Sequence, residues 1–232
     1  MDKRLLTIAS HVRDGRGVVD VGTDHGYIPI YLAQNGYNGN LIASDINYAP
    51  LLKGIENAKE AGLEGRIDFL LCDGLESCPH ERIDTIIIAG MGGDTICGIL
   101  DRIQWLYTWP FMLILQPMTK SEILRYWLIN NSFEIKSEEL VRDEGTFYQI
   151  ITAVPGNAGK TSDAELFTGK YELIKNLEHF PERLEKLIGS FGKSITGMKN
   201  SGRPDVISRC GINEKILMEL REMKERLSED MR

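Results

Sequence analysis

"VVDVGTDHGYIP", residues 18–29, sets two glycines and two acids behind a short apolar run. Gly22 and Gly26 form a G-x-x-x-G spacing, which differs from the G-x-G-x-x-G of dinucleotide folds. Glycine in such a place lets a ligand approach backbone that has no Cβ, and lets a tight strand-to-helix turn take a positive φ. Taken alone, the stretch is a turn that many strands make. Its meaning depends on the chain around it.

Four further strand-like runs follow "GVVDV" (17–21): "NLIASDI" (40–46), "IDFLLCD" (67–73), "DTIIIAG" (84–90) and "FMLILQP" (111–117). Helix-length segments near 27–35, 48–62, 93–104 and 119–130 separate them. Strands alternating with helices predict βαβ units and a parallel sheet covered on both faces. The rhythm then breaks at "FEIKSEELVRDEGTFYQIITAV", where two long strands meet at "DEG", a hairpin signal. The fold expected is α/β, a Rossmann-like sheet ending in an antiparallel hairpin.

"PGNAGKTSD" (155–163) is a loop of breakers, which divides the chain into a sheet domain, 1–157, and a helical domain, 158–232. In the second part Leu173, Leu177, Phe180, Leu184, Leu187 and Phe191 recur every three or four residues, as do Ile216, Leu220, Met223 and Leu227. Pro181 starts a helix and "GMKNSGRPD" (197–205) turns the chain, so two long helices pack antiparallel in a coiled-coil-like appendage.

The formal net charge of −7 argues against indiscriminate binding to nucleic acid. Bases nevertheless cluster between Lys186 and Lys215, where Lys193, Lys199, Arg203 and Arg209 face only Asp205 and Glu214 as acids. No apolar run approaches membrane-spanning length and the N-terminus lacks a secretory core, so a cytoplasmic protein without a membrane partner is expected. Cys72, Cys78, Cys97 and Cys210 show no paired spacing. Cys72, Cys78 and His80 lack a fourth ligand, so no metal site is expected.

Acids stand where open parallel sheets bind ligands, at the C-terminal strand ends. Asp45, in "SDIN", lies 23 residues after Gly22, where an acid accepts both hydroxyls of a ribose; the alternative is a cap for the helix that follows. Asp73, in "CDGL", can accept an adenine amino hydrogen. NAD and S-adenosylmethionine both present adenosine to such a cleft. The absent G-x-G-x-x-G and the terminal hairpin favour S-adenosylmethionine. The fourth strand runs into "AGMGGD" (89–94), open backbone where the methionine end of a cofactor and a flat base can meet; alternatively those glycines only start a helix.

"VDVGTDHGYIP", "ASDIN", "CDGL", "AGMGG" and "LILQP", in this order and spacing, resemble the bacterial tRNA (adenine-22-N1)-methyltransferase family. The resemblance covers the sheet domain; the helical part matches in architecture. It implies a class I methyltransferase fold, S-adenosylmethionine as cofactor, and a helical element that helps to hold tRNA. Carried over by position, Asp20, Gly22, Asp24, His25 and Gly26 form the first cofactor loop. Asp45, Ile46, Asp73, Gly74, Ala89 and Gly90 complete the pocket.

Adenine N1 carries an in-plane lone pair and no proton, so its methylation needs positioning rather than a general base. The methylated ring gains positive charge, which a carboxylate can stabilise; Asp24 and Asp94 are the candidates. His25 orients the cofactor's carboxylate or the base, or is a satisfied imidazole in the turn. Tyr27 stacks on the base, and Asn57 packs its helix against the sheet. "AGMGG" stands where exocyclic-nitrogen methylases carry Asn/Asp-Pro-Pro-aromatic, which speaks against N6 chemistry. The expected partner is tRNA, approached by a monomer. A methyltransferase with another substrate, a non-catalytic S-adenosylmethionine-binding module and a nicotinamide oxidoreductase remain as rivals.

Overall fold

The computed structural model describes residues 1–201, 203, 206 and 210–232; Asp205 and Arg209 of the basic run lie outside them. Strands β1 (Gly17–Val21), β2 (Asn40–Asp45), β3 (Asp68–Leu71), β4 (Thr85–Gly92), β5 (Met112–Thr119), β6 (Phe133–Asp143) and β7 (Thr146–Pro155) form one sheet. Its order is β3-β2-β1-β4-β5-β7-β6. The first five strands pair in parallel, while β7 runs antiparallel to both β5 and β6. Residue 73, expected to end a strand, lies two residues past β3 instead.

Every residue of β1 is buried, as a central parallel strand requires. Val18, Leu41, Ile87 and Ile114 from four neighbouring strands pack in one cluster with Ile28 and Leu32 of α2 (Tyr27–Gln34). Helix α3 (Tyr48–Glu60) follows β2, and α4 (Gly93–Asp101) and α5 (Ser121–Asn130) pack against β4 and β5. The hairpin turns through Glu144 (φ 45°) and Gly145 (φ 80°), two successive left-handed residues whose twist suits a two-residue loop.

The alternation of strands and helices starts at β1 and gives no sign of a helix before it, yet α1 spans Lys3–Ser10. The Asp2 carboxylate accepts from the Leu5 N–H at 2.7 Å and caps it. Ile8 and Ala9, one helical turn beyond Leu5, are buried in the same core cluster.

Residues divide into two compact units, Met1–Gly159 and Lys160–Arg232. In the second, α6 (Asp163–Thr168) opens with a capping box between Ser162 and Glu165, and α7 (Tyr171–Ile174) follows. Helix α8 runs from Phe180 to Asn200, with Pro181 in its first turn, and α9 from Cys210 to Asp230. Phe180 and Leu184 pack on Ile216, Leu220, Met223 and Leu227. Lys199 pairs with Glu214, and Lys224 with Glu185, so the two helices run antiparallel. Helix α8 extends into the expected turn because Ile195 and Met198 still find Cys210 and Leu217 to pack on. Much of the basic run is already paired: Lys186 with Glu182, Lys199 with Glu214, Lys215 with Asp163. Among the described residues, no helix is long and apolar enough to cross a membrane.

Candidate functional site

The C-terminal ends of β1 to β4 open onto a cleft of about 880 Å³ in the N-terminal unit. It gathers Asp20, Gly22, Asp24 and Tyr27 from the first strand-to-helix connection, Asp45 and Ile46 from the second, Asp73 and Gly74 from the third, and Ala89 and Gly90 from the fourth.

Gly22 has φ 70°, a left-handed conformation that glycine adopts without strain. Its N–H and that of Thr23 donate to the Ser44 carbonyl at 2.8 and 3.0 Å, locking the turn to β2. A Cβ on Gly22 would collide with the Met91 methyl, so a side chain from the end of β4 occupies the space a glycine leaves there. Asp24–Gly26 form a 3₁₀ turn in which His25 also has positive φ, 60°. Asn57 holds it: the Asn57 side-chain amide donates to the His25 carbonyl at 2.9 Å. The bond joins α3 to the loop, beyond the sheet-packing role expected of Asn57.

Gly26, His25 and Asp94, all expected from sequence as site residues, are not among the residues that line the cleft. Gly26 is buried with its Cα facing Gly54; a Cβ would stand 3.3 Å from the Gly54 Cα, so two backbones approach closely there. The His25 ring is half-exposed, with Nε2 3.1 Å from an Asp24 oxygen and its centroid 5.6 Å from the Tyr27 ring. Asp94, in the first turn of α4, is paired with Lys120, whose hydrogen bond holds its carboxyl below the usual range.

The acids differ in environment. Asp20 is 6% exposed, and burial raises its carboxyl to about 6, against the Thr23 hydroxyl that donates to it at 2.6 Å; the Asp45 charge adds to the rise. Asp45 accepts the Asn47 N–H at 2.7 Å through one oxygen, a local turn. It does not cap α3; Asn47 occupies the cap position. Asp73 receives both terminal nitrogens of Arg102, at 2.9 and 2.7 Å, and that hydrogen bonding holds its carboxyl below the usual range. The Ser44 hydroxyl donates to the Gly74 carbonyl at 3.4 Å, which ties this loop to the end of β2.

Residues outside the sequence motifs complete the walls. Asp2, Arg4 and Leu5 come from α1 and its cap, Thr95, Gly98 and Ile99 from α4, Arg102 from just beyond it, and Met118 from β5. Gln116 on β5, in "LILQP", is fully buried beneath. Its side-chain oxygen accepts from Arg4 Nη1 at 2.7 Å and from the Gly90 N–H at 3.2 Å, so it joins α1 to the end of β4. In "DKRLLTIA", Leu5, Ile8 and Ala9 fall on one helical face, the one signal by which α1 was findable.

A family of methyltransferase domains matches residues 1–151. The tRNA (adenine(22)-N(1))-methyltransferase of Bacillus subtilis (strain 168) is 32% identical over 163 residues, 70% of this chain and 68% of that protein. A Streptococcus agalactiae protein of the NADB-Rossmann superfamily superposes with a TM-score of 0.85 at 32% identity, over 97% of both chains. TrmK of M. capricolum, solved in complex with the natural cofactor product S-adenosyl-homocysteine, superposes with a TM-score of 0.80 at 26% identity, over 98% of each chain. By the extent of the match to the B. subtilis enzyme and to the methyltransferase domain, this chain belongs to the tRNA (adenine-22-N1)-methyltransferase family.

Proposed function

We propose that the cleft transfers the methyl group of S-adenosylmethionine to N1 of adenine 22 in tRNA. The observation that carries this reading is the row of carboxylates on adjacent strand ends: Asp73 beyond β3, Asp45 ending β2 and Asp20 near the end of β1. They suit the polar groups of an adenosyl amino acid taken in order. Asp73 accepts the adenine amino group. Its oxygens are fixed by Arg102 yet keep lone pairs for a further donor. Asp45 has one oxygen committed to Asn47, which fixes its orientation toward ribose hydroxyls. Asp20, buried and with no cation beside it among the described residues, suits an ammonium.

Bound S-adenosylmethionine supplies an electrophilic methyl on a sulfonium. The protein's task is alignment, because the neutral adenine N1 has no proton to lose. Tyr27, exposed at the cleft edge on the first turn of α2, offers a face for the displaced base. Asp24 is placed to stabilise the positive charge that the ring gains, and His25 Nε2, at 3.1 Å, steadies its carboxylate. Asp94, outside the cleft lining and paired with Lys120, is the weaker of the two candidate acids.

The test is incubation with methyl-labelled S-adenosylmethionine and unmodified tRNA, then nucleoside analysis. Label is expected in 1-methyladenosine, and none when adenine 22 is replaced by guanine. Cofactor binding without label in RNA would instead support the binding-module reading. The pocket assignment has its own check. Asp45→Ala removes hydrogen bonds to a charged acceptor, worth about 1.5–3 kcal/mol. Calorimetric affinity for the cofactor is therefore expected to fall about 10- to 100-fold. Unchanged affinity in a folded variant leaves Asp45 only its turn with Asn47.

A further inference from the structure

Two cations line the cleft among the described residues, Arg4 and Arg102. Arg102 is spent: its fork meets both Asp73 oxygens, and its Nε lies 3.4 Å from Glu76. Arg4 is not. Among the described residues, its guanidinium makes one hydrogen bond, from Nη1 to Gln116, and one looser ion pair, Nη2 to Asp2 at 3.5 Å. The Tyr148 ring lies 5.6 Å from its central carbon, a contact that consumes no N–H. A guanidinium has five N–H donors in a planar fork that matches a carboxylate, so most of this one's capacity is unused. The side chain is 20% exposed, and its Nη1 stands 3.7 Å from where a Cβ on Gly90 would be. It therefore lies over the glycine backbone at the end of β4.

Strand order gives this position a meaning. Across the sheet the polar groups run Asp73, Asp45, Asp20, then Arg4 above Gly90 on β4, anchored through Gln116 on β5. Three acids are followed by one cation. A ligand complementary to that row carries an amine, hydroxyls and an ammonium, then an anionic group at the far end. Gln116 is buried and bonded to both Arg4 and Gly90, so the cation is held in place before any ligand arrives.

We propose that Arg4, carried by α1 and braced by Gln116, is the receptor for the carboxylate of the cofactor's amino-acid end. The proposal rests on the functional reading above and adds to it a residue, an ion pair and a role for the first helix. A tRNA phosphate is the competing anion for the same fork.

Two ligands that differ in the amino acid separate these cases. S-adenosylhomocysteine carries the carboxylate, whereas 5′-methylthioadenosine keeps the nucleoside and sulfur without it. Calorimetry on the full chain and on Arg4→Ala and Arg4→Gln, with tRNA KM for each, reads the difference. Arg4→Gln keeps a side chain long enough to line the wall if alanine loosens α1. S-adenosylhomocysteine is expected to lose about 10- to 100-fold in both variants, the usual scale for a charge-assisted hydrogen bond. 5′-Methylthioadenosine is expected to change by less than about twofold. Equal loss of both ligands would show that Arg4 only holds the wall and overturns the proposal. Unchanged nucleoside affinities with a raised tRNA KM would assign Arg4 to a phosphate, which also overturns it. A parent chain that binds neither nucleoside overturns the functional reading, and this proposal with it.

Discussion

Arg125→Ala is expected to destabilise the N-terminal unit by about 3–5 kcal/mol, the usual result of removing one partner of a buried ion pair. Arg125, on α5, has no exposed surface, and Glu138, on β6, has almost none. The guanidinium reaches one Glu138 oxygen through Nε at 3.0 Å and through Nη2 at 2.6 Å. Without the arginine, a carboxylate is left in the interior. Urea unfolding followed by tryptophan fluorescence reads this unit alone, because Trp105, Trp109 and Trp127 all lie within Met1–Gly159. Arg125→Met combined with Glu138→Leu is the control. Removing both charges together with shape preserved is expected to return most of the loss. A single variant within about 1 kcal/mol of the parent would show that Glu138 escapes the cost by protonation or by water.

Asp20→Asn is expected to act in opposite directions on stability and on binding. Burial raises the Asp20 carboxyl to about 6 from 3.8, so the folded chain holds that proton more tightly than the unfolded chain. The associated stability is fully present below pH 3.8 and is lost as pH rises through about 6. A rise of that size corresponds to a full loss of about 3 kcal/mol. Asparagine cannot ionise and escapes it. At pH 7.5 the variant is expected to be more stable than the parent by up to about 3 kcal/mol, with a flatter profile between pH 4 and 7. Its affinity for S-adenosylhomocysteine is expected to drop, because the ammonium end loses its anion. In the parent near pH 6, binding should release part of a proton, seen as a calorimetric enthalpy that changes with buffer. Profiles that coincide between pH 4 and 7 would remove Asp20 as the titrating group.

Both variants probe parts of the molecule that the sequence disclosed unequally. The parallel part of the sheet was readable because four of its five β-branched runs are followed by a helix-length segment, only a short 3₁₀ turn joining β3 to β4, and such crossovers have little topological freedom. The hairpin was readable from "DEG", since Glu144 and Gly145 supply the two left-handed residues of the turn. The place of β7 between β5 and β6 was not, because a hairpin can dock through either of its strands. Among the residues that line the cleft, Asp45 was legible at the end of β2 and Asp73 just beyond β3, where open parallel sheets bind ligands. Arg4 was not: its partner Gln116 is 112 residues away, and only the fold brings them together. Arg102 and Asp73, 29 residues apart, were hidden for the same reason. The left-handed backbone of His25 was invisible too, because it is held by Asn57 rather than by anything in the residue itself.

The position of β7 also orders events in time. A chain leaving the ribosome presents β5 first, then β6, and only then the strand that lies between them. Until residue 155 has emerged, β5 carries an unpaired edge and β6 has no neighbour in the sheet. The hairpin is a local structure and can close as soon as Thr146–Pro155 is free, then add to β5 as a finished pair. A nascent chain halted before residue 146 therefore holds the four strands whose ends open onto the cleft, plus an unpaired β6 and β5 with its aliphatic edge open to any other strand in reach. During synthesis the last two strands are the guard on that edge, and the helical unit emerges only after the guard is in place.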